Sequence, residues 1–494
     1  MTAWGAKSAG VVKIVLFYIL CFLLLRLIFW FLVKEAAGAG QARMHLLRVQ
    51  RILKVELIML PFSVYAYHRL LTAFMRLWDH LCMPDRMRSG ASAGDHVYFS
   101  LPTIAGAVGS EEAFMRRRRR AARLIALGIL VFLLGSHSTY SIYYLESVLP
   151  MALRWFSAVC LGVYAHLVGL LVVFGLANLL CRCFVPRLMA ALKLKTTAGL
   201  GLLLKRLTMD AHWQSFLSVA LALLVSVVSL WAGMSTRIVP VGIEFGASGK
   251  AGSEKASWDG LKIALLSDVH MGGVVDANWL SEAVTMTNEA KPDIVVIIGD
   301  LFDGNKPELS PKLTSLRDLS APQGIFYVTG NHEYYQGDMG EWLRWLEAQN
   351  KQLKVLRNEN VHLEDFDLCL AGADDVGSGS TGFSTPGHEM DVKKALKGCP
   401  TESLKVLLEH NPMSVDDIVK EVTPDLILSG HMHAGQFYVS APFIWLFSPY
   451  FHGYYQVRNS TTQLYVSAGV YCYAVPMKTL SGGSEITLVT LLSK

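Results

Sequence analysis

The stretch KIALLSDVH (residues 262–270) joins a short apolar run to residue types that ligate metals, and it is the clearest sign of the fold. The same arrangement recurs in DIVVIIGD (293–300), IFYVTGNHE (325–333), KVLLEHNP (405–412) and DLILSGHMH (425–433). Apolar runs of this length, separated by helical patterns, predict the buried strands of an α/β sheet. Because sites in such sheets form at the carboxyl ends of strands, we expect all five segments to meet at one edge.

The polar ends of these segments provide a donor set that suits two divalent metal ions, such as Mn, Fe or Zn. Imidazole nitrogen binds zinc and iron, whereas carboxylate oxygen favours harder cations such as manganese. Asp300 lies between the other ligand segments and is the predicted bridge between the ions. Metal pairs about 3.5–4 Å apart act on phosphate esters, so we expect hydrolysis by a metal-activated hydroxide. The predicted ligands are Asp268, His270, Asp300, Asn331, His410, His431 and His433.

Each segment has a structural alternative when it is taken alone. An Asp-x-His triplet occurs by chance, a Gly-Asp pair after a strand is commonly a turn, and a single His410 would be expected to serve packing. The pair His431 and His433 is more specific, since two imidazoles two residues apart rarely serve packing alone. We interpret the five segments as one metal site because all of them follow predicted strands.

The first 236 residues have the composition of a multi-pass α-helical membrane region, followed by the α/β domain at 237–494. The chain is 52% hydrophobic and only 17% charged, whereas soluble domains are about a quarter charged. Buried helices of a soluble domain are the alternative, but these runs are apolar on all sides. Each run has roughly the length of about 20 residues that a bilayer requires. The predicted spans are residues 11–33, 57–74, 124–145, 155–180 and 215–234.

The second of these runs is the least secure, because it contains Pro61 and His68 and follows Glu56. A four-helix alternative places this run in the membrane interface. We predict that the membrane region is an anchor that presents substrate, including lipid-linked substrate. Transport is the alternative, but a transport pathway is expected to contain more ionisable groups than Arg26 and a few histidines.

The cysteines do not predict a disulfide framework. Only three of the eight follow residue 237, namely Cys369, Cys399 and Cys472. An odd number in this half leaves room for a single bridge.

Positive charge predicts the side of the membrane on which the α/β domain lies. Residues 76–123 hold nine Lys or Arg and residues 182–214 hold six, which places both connections in the cytoplasm. The last span then carries the domain to the extracytosolic side, the exterior or a lumen. The sequon Asn459-Ser460-Thr461 agrees with this side. A cytoplasmic domain is the alternative.

The basic run Arg116–Arg120 has a second interpretation as a nuclear import signal or nucleic-acid patch. Its position directly before an apolar span favours a role in topology and contact with lipid headgroups. The net charge of +5 is modest for a chain of 494 residues. We therefore expect membrane lipids, and no nucleic acid, among the partners.

The chain resembles the calcineurin-like metallophosphoesterases over residues 237–494, through the motifs SDVH, GDLFDG, GNHE, HNP and GHMHAGQ. The resemblance implies a four-layer α/β/β/α sandwich and hydrolysis of a phosphate mono- or diester. It implies one metal ion held by Asp268, His270, Asp300 and His433, and a second held by Asp300, Asn331, His410 and His431. His332 would be the catalytic histidine near the leaving group. A non-catalytic membrane receptor or scaffold that retains the fold is the alternative.

The closing segment LYVSAGVYCYAVPMK (464–478) departs from the related bacterial pattern. It lacks an Arg and a second Gly, and Ala468 and Tyr471 stand in those places. The predicted metal ligands are unaffected. We therefore expect the departure to alter substrate contacts at this wall of the site.

Overall fold

The computed structural model describes residues 40–83, 111–144, 149–191, 211–246, 256–335, 339–378 and 387–494. Within these ranges, four helices are long and apolar enough to cross a membrane. They are α1 (Gly40–Cys82), α2 (Glu111–Tyr144), α3 (Met151–Ala191) and α4 (Ala211–Met234). The predicted span at 11–33 lies outside the described residues. The other four predicted spans lie within these helices, apart from residue 145.

The second predicted span lies in a continuous helix, α1, although it contains polar residues that argue against a membrane span. The carboxylate of Glu56 contacts Nδ1 of His137 in α2. The other ring nitrogen of His137 lies 2.7 Å from Ser63 Oγ, which donates to Tyr164 OH at 3.0 Å. Tyr164 in turn donates to the carbonyl oxygen of Met59. This cluster of four side chains, the Glu56 cluster, lets a polar helix face lie among apolar neighbours.

The spanning helices are longer than the apolar runs that predict them. The basic run Arg116–Arg120 is helical and lies in the early turns of α2. Arg118 makes two hydrogen bonds with the carboxylate of Asp79, near the end of α1, at 2.6 and 2.8 Å. Helix continues past the apolar segment because Arg is a good helix former and its charge is paired here.

The C-terminal half contains two six-stranded sheets. The first has the order β1-β12-β2-β3-β4-β5, and the second has the order β10-β11-β9-β8-β7-β6. The strands are β1 (Arg237–Phe245), β2 (Lys262–Leu266), β3 (Ile294–Ile298), β4 (Ile325–Val328), β5 (Leu353–Val355), β6 (Glu359–Leu363), β7 (Leu368–Gly372), β8 (Leu404–Leu408), β9 (Leu426–Ser429), β10 (Gly453–Gln456), β11 (Gln463–Val466) and β12 (Glu485–Ser493). Strands β2 to β5 pair in parallel, and so do β7, β8, β9 and β11.

The described part of the C-terminal half contains seven α-helices, several of which cover the outer faces of the two sheets. They are α5 (Ala277–Glu289), α6 (Lys306–Leu309), α7 (Asn331–Tyr334), α8 (Met339–Gln349), α9 (Val392–Ala395), α10 (Val415–Glu421) and α11 (Ala441–Phe447). Short 3-10 turns occupy Ser310–Asp318, Glu364–Phe366, Val376–Ser378, Pro412–Ser414 and His433–Gly435. The first of these turns contains Pro311 as its second residue.

Three apolar layers confirm the four-layer α/β/β/α sandwich. In β3, Val296 packs between the two sheets, whereas Ile297 packs under the helices of the first sheet. Leu408 and Leu428 of the second sheet complete the central layer. A third layer joins the outer face of the second sheet to α9 and α10. The central strands have continuous apolar sequences because both faces of each sheet are covered.

The chain divides into two compact units. One contains residues up to 55, 139–159 and 227–494, so the ends of the membrane helices belong with the sandwich. The other contains residues 56–138 and 160–226. Within the first unit, Lys478 N donates to Ser229 O at 2.9 Å and Ser484 Oγ donates to Gly233 O at 2.7 Å. The segment 478–484 therefore packs on the end of α4.

One disulfide joins Cys369 of β7 to Cys399, which precedes β8. This is the single bridge for which the cysteine count left room. Cys472 is buried and free.

Candidate metal centre

All seven predicted ligands lie just beyond the carboxyl ends of five strands, three in the first sheet and two in the second, so the edge at which they meet belongs to two stacked sheets and not to one. Asp268 and His270 follow β2, Asp300 follows β3, Asn331 follows β4, His410 follows β8, and His431 and His433 follow β9. The loops meet so closely that Gly299 has no room for a side chain. A Cβ there would lie 2.6 Å from both Gly330 Cα and His410 Nδ1. The Gly-Asp sequence is thus a packing requirement of the site as well as a turn.

The first group of ligating atoms comes from the loops after β2 and β9. The Nε2 atoms of His270 and His433 lie 3.0 Å apart, and Asp268 Oδ1 lies 3.2 Å from the His433 nitrogen. Burial lowers the pKa of His433, which favours the neutral imidazole that a metal binds. Two imidazole nitrogens and a carboxylate oxygen at these separations are placed to share one cation.

The second group is formed by Asp300, His410 and His431, whose ligating atoms all lie within 4.8 Å of one another. His410 Nδ1 donates to the carbonyl oxygen of Ile298 at 2.8 Å, so its Nε2 is the atom that faces the group. Burial, followed by repulsion from His410, lowers the pKa of His431 to about 3. His431 is therefore neutral and able to ligate.

Asp300 lies between the two groups. Its Oδ2 is 3.2 Å from His410 Nε2 in the second group and 3.7 Å from His270 Nε2 in the first. Its Oδ1 accepts a hydrogen bond from the backbone nitrogen of His332 at 2.8 Å. One carboxylate oxygen thus faces both sets of donors, as a bridging ligand must.

The backbone at the site is strained. Asp268, His270, Asp300, His431 and His433 all have positive φ, between 47° and 69°. Residues other than glycine rarely adopt this left-handed conformation, and each case costs about 1–3 kcal/mol. The surrounding sandwich holds five such residues in one cluster, where the strain aims their side chains at a common centre.

The donor set fits two divalent cations. Asn331 Oδ1 and His410 Nε2 are buried and make no hydrogen bond within the described part of the chain. Such atoms are rare, because each unsatisfied buried group costs about 1–3 kcal/mol. Asn331 Nδ2 donates to Tyr335 OH at 2.8 Å, which leaves the amide oxygen for a cation. Oxygen and imidazole donors of this kind suit Mn, Fe or Zn.

His332 lies at the edge of the cluster, and Asp303 holds it. Its Nδ1 contacts Asp303 Oδ1, and its Nε2 lies 4.0 Å from Asp300 Oδ2. The other oxygen of Asp303 lies 2.6 Å from His270 Nδ1. Burial lowers the pKa of His332, but attraction to Asp303 and Asp300 outweighs it and raises the pKa to about 9.

Several residues of the site have no role in the sequence-based prediction. Asp303 orients two imidazoles. It is visible in the motif GDLFDG, and because carboxylates commonly orient metal-binding histidines, its role could have been predicted from the sequence. Glu333 accepts from the backbone nitrogens of Gly330, Asp300 and Leu301 at 2.9, 3.0 and 2.6 Å and so ties two ligand loops together. Nothing in the motif GNHE, where Glu333 follows the histidine, predicts this role for its side chain.

Aromatic residues form the wall beside His332. The rings of Tyr335 and Tyr473 lie 4.8 and 4.7 Å from the His332 ring. Arg51, in the N-terminal part of α1, places its guanidinium 3.6 Å from the centre of the Tyr335 ring. Tyr143, near the end of α2, packs on Tyr473 at 5.4 Å. The ends of membrane helices therefore help to build the site, which motif spacing alone does not reveal.

Comparison with known proteins places this geometry in a family. A sequence profile of the calcineurin-like phosphoesterases matches residues 261–435. A protein of Danio rerio named transmembrane protein with metallophosphoesterase domain is 34% identical over 74% of this chain and 79% of its own length. The chain belongs to the calcineurin-like phosphoesterase family. The resemblance in the motifs is thereby confirmed.

Similarity to other phosphoesterases of the family extends beyond the sandwich. A Caenorhabditis elegans protein named as a metallophosphoesterase is 31% identical over 92% of this chain and 91% of its own length. A Bos taurus protein with the same name as the Danio rerio relative is 41% identical over 48% of this chain and 54% of its own. This phosphoesterase is accordingly a membrane protein, and the described residues before its α/β domain include four helices that are long and apolar enough to span a membrane.

Proposed function

We propose that this phosphoesterase hydrolyses a phosphate mono- or diester at a centre of two divalent metal ions. The position of Asp300 carries the proposal, because one of its oxygens faces His410 at 3.2 Å and His270 at 3.7 Å. Nothing in folding alone requires such a convergence of buried imidazoles and carboxylates. The chemistry that a metal pair supplies here is activation of a water nucleophile and stabilisation of charge on the phosphoryl oxygens.

The ligands divide between the two positions through the shared carboxylate. Asp268, His270 and His433 would hold one ion, and Asn331, His410 and His431 would hold the other, with Asp300 common to both. Asp303 fixes the orientation of His270 through its Nδ1, so that Nε2 points to the ion. Such outer carboxylates set both the orientation and the basicity of metal-binding imidazoles.

His332 is the proposed catalytic residue. Asp303 holds its Nδ1, so its Nε2 is the atom that remains for the substrate. The side chain is 12% exposed, which lets a bound ester reach it. We assign it the transfer of a proton to the leaving oxygen, a contribution of about 10²–10⁴-fold to the rate.

A hydrolysis assay tests the proposal. The purified full chain, supplied with manganese or zinc, should cleave an aryl phosphate ester, and Asp300→Ala should not. Asp365→Ala, which changes an exposed aspartate of the same domain, is the matched control and should retain the wild-type rate. Equal rates in wild type and Asp300→Ala would contradict the proposal. A folded wild type that binds metal but cleaves no ester would instead indicate the receptor alternative.

We further propose that the catalytic domain lies on the extracytosolic side of its membrane. The basic connection at 182–214 and the single crossing by α4 support this side. The disulfide Cys369–Cys399 supports it as well, since disulfides persist in oxidising compartments. Asn459 of the sequon is exposed in the turn between β10 and β11, where a glycan could be attached.

Protease treatment of intact cells and sealed organelles tests this topology. The domain should be digested from outside intact cells, or should be protected inside sealed organelles until detergent is added. Digestion from the cytosolic face of sealed organelles would overturn it. Non-reducing gels give an independent readout, because Cys369→Ser should release a free thiol at Cys399 only if the bridge forms in the cell.

A further inference from the structure

Helix α11 is an apolar helix in which no residue is buried. Its large side chains are mostly exposed: Phe443 by 64%, Trp445 by 68%, Leu446 by 67% and Phe447 by 75%. No Asp, Glu, Lys or Arg occurs in the sequence between Asp425 and Arg458. Large apolar side chains that are exposed together on one uncharged segment mark an interaction surface.

The two ends of α11 are attached to the loops that carry metal ligands. At its start, Ser440 Oγ donates to the carbonyl oxygen of Gly435 at 2.7 Å, in the turn of the β9 ligands. At its end, Ser448 Oγ donates to the carbonyl oxygen of Tyr450 at 2.7 Å and lies 3.3 Å from Met413 Sδ, in the turn that follows the β8 ligand. Met413 is itself 49% exposed and extends the apolar patch. Whatever α11 contacts therefore lies beside the metal site.

A second set of contacts links α11 to the membrane region. Tyr438 OH accepts a hydrogen bond from Leu480 N at 2.9 Å. The same loop holds Lys478, whose backbone nitrogen donates to Ser229 O in α4 at 2.9 Å. Leu480 is 49% exposed. The loop that packs on the end of the last spanning helix thus also packs on the segment that leads into α11.

We propose that α11 inserts its aromatic face into the interface of the bilayer that α1 to α4 span, and that the substrate is a phosphate ester carried by a lipid of that bilayer. Trp and Phe favour this depth of a membrane. The attachment of α11 to both ligand turns would hold the metal site at the lipid headgroups. The substrate class rests on the proposed function, whereas the insertion does not.

The alternative to the bilayer is that a second copy of this chain binds the apolar patch on α11. Stable protein interfaces bury about 800 Å² on each partner, and a helix of seven residues offers a small part of that area. The spanning helices, in contrast, hold the α/β domain at a bilayer, and the segment that contacts the end of α4 also contacts Tyr438, which leads into α11. The bilayer is therefore the occupant that the structure favours.

Tryptophan fluorescence tests the insertion. The full chain is reconstituted in phosphatidylcholine vesicles whose acyl chains carry bromine, a quencher that acts at short range. Trp445 is one of eleven tryptophans, so wild type is compared with Trp445→Phe, which keeps the aromatic face and removes the probe. The quenched part of the emission should decrease in Trp445→Phe. Identical quenching in the two proteins would overturn the insertion.

A pair of substrates tests the lipid ester. The double variant Phe443→Ser, Phe447→Ser should hydrolyse phosphatidic acid and phosphoinositides in vesicles about tenfold more slowly, equivalent to about 1.4 kcal/mol of lost binding. Its rate on a soluble aryl phosphate should be unchanged, which also shows that it folds. Tyr454→Ser, an aromatic residue that is 51% exposed in β10, is the matched control and should affect neither substrate.

Three results would overturn the proposal. The first is an equal loss on lipid and soluble esters, and the second is a wild type that cleaves the aryl phosphate but no phospholipid. The third is a dimer in detergent that the double variant converts to a monomer, because the patch would then belong to a second copy. A wild type that cleaves neither substrate contradicts the proposed function, while the quenching experiment still tests the insertion.

Discussion

The metal centre and the Glu56 cluster both gather ionisable side chains, but they differ in how many buried polar atoms lack a hydrogen bond. Within the described residues, four side-chain atoms of the predicted metal ligands lack one, whereas the Glu56 cluster leaves only Glu56 Oε1 without one. In the Glu56 cluster, Glu56 pairs with His137, and the hydroxyls of Ser63 and Tyr164 continue the chain to a backbone carbonyl. In the metal centre, the nitrogens of His270 and His433 face each other at 3.0 Å across a group of carboxylates. The first cluster has the form of a structural network and the second has the form of a binding site.

The backbone shows the same difference. The Glu56 cluster lies on regular helices, so its side chains need no special conformation. Five of the seven predicted metal ligands instead have left-handed φ values. Strain of this kind persists only where the surrounding structure imposes it, and it concentrates at functional sites. The comparison predicts that mutations in the first cluster reduce stability, whereas mutations in the second reduce activity.

The largest effect is expected from Asp268→Asn. The change removes a charged ligand of the first group. Metal-ion stabilisation of the transition state is worth several kcal/mol, so its loss should lower the hydrolysis rate by on the order of 10³-fold. The bound metal should decrease in parallel, while the thermal unfolding temperature without added metal stays near that of wild type. Retention of both ions and of the rate would show that Asp268 is not a ligand. Asp365→Asn is the matched control.

A smaller effect is expected from Asp303→Asn. The amide no longer attracts His270 and His332 by charge, and loss of an outer carboxylate costs about 10–100-fold in metal affinity or activity. The measurement is a metal titration of the rate, compared with His332→Ala. Saturating metal should recover part of the Asp303→Asn rate, because His270 can still ligate. His332→Ala should show no such recovery, and equal behaviour of the two variants would contradict the separate roles.

The smallest effect on activity is expected from Glu56→Gln and His137→Leu. Each change weakens or removes a hydrogen bond between two half-buried side chains, and a typical hydrogen bond contributes about 0.5–1.5 kcal/mol to stability. Unfolding temperature in detergent should decrease while the rate per folded molecule stays at the wild-type value. The double change Glu56→Leu, His137→Leu should recover stability, since apolar replacement of both partners is often neutral. A loss of rate without a loss of stability would give the cluster a functional role.

The strand-end rule explains how much of the site the sequence could predict. Asp268 and Asp300 follow β2 and β3 of the first sheet, and the carboxyl ends of neighbouring parallel strands meet by construction. His410 follows β8 of the second sheet, so it reaches Asp300 only because the two sheets stack, which strand patterns alone do not predict. The contact of Arg48 with the carbonyl oxygen of Tyr335 spans 287 residues. It depends on where the end of a membrane helix packs, and a local pattern contains no information on that.

The membrane helices show a similar limit. Apolar runs predict the part of a helix that lies in lipid, and four of the five runs lie within described helices, apart from residue 145. The helices continue beyond those runs because charged residues outside the bilayer are good helix formers and can pair, as Arg118 and Asp79 do. The polar partners of Glu56 come from α2 and α3, so the sequence of α1 alone made this span appear insecure.

The central claim is that the seven convergent side chains hold two metal ions that the reaction requires. The most direct test is the metal content of the purified full chain by mass spectrometry, measured with the rate of aryl phosphate hydrolysis during removal and return of metal. We expect two divalent ions per folded chain, with activity that disappears as they are removed and returns as both sites are refilled. Full activity in a chain that holds at most one ion would contradict the claim.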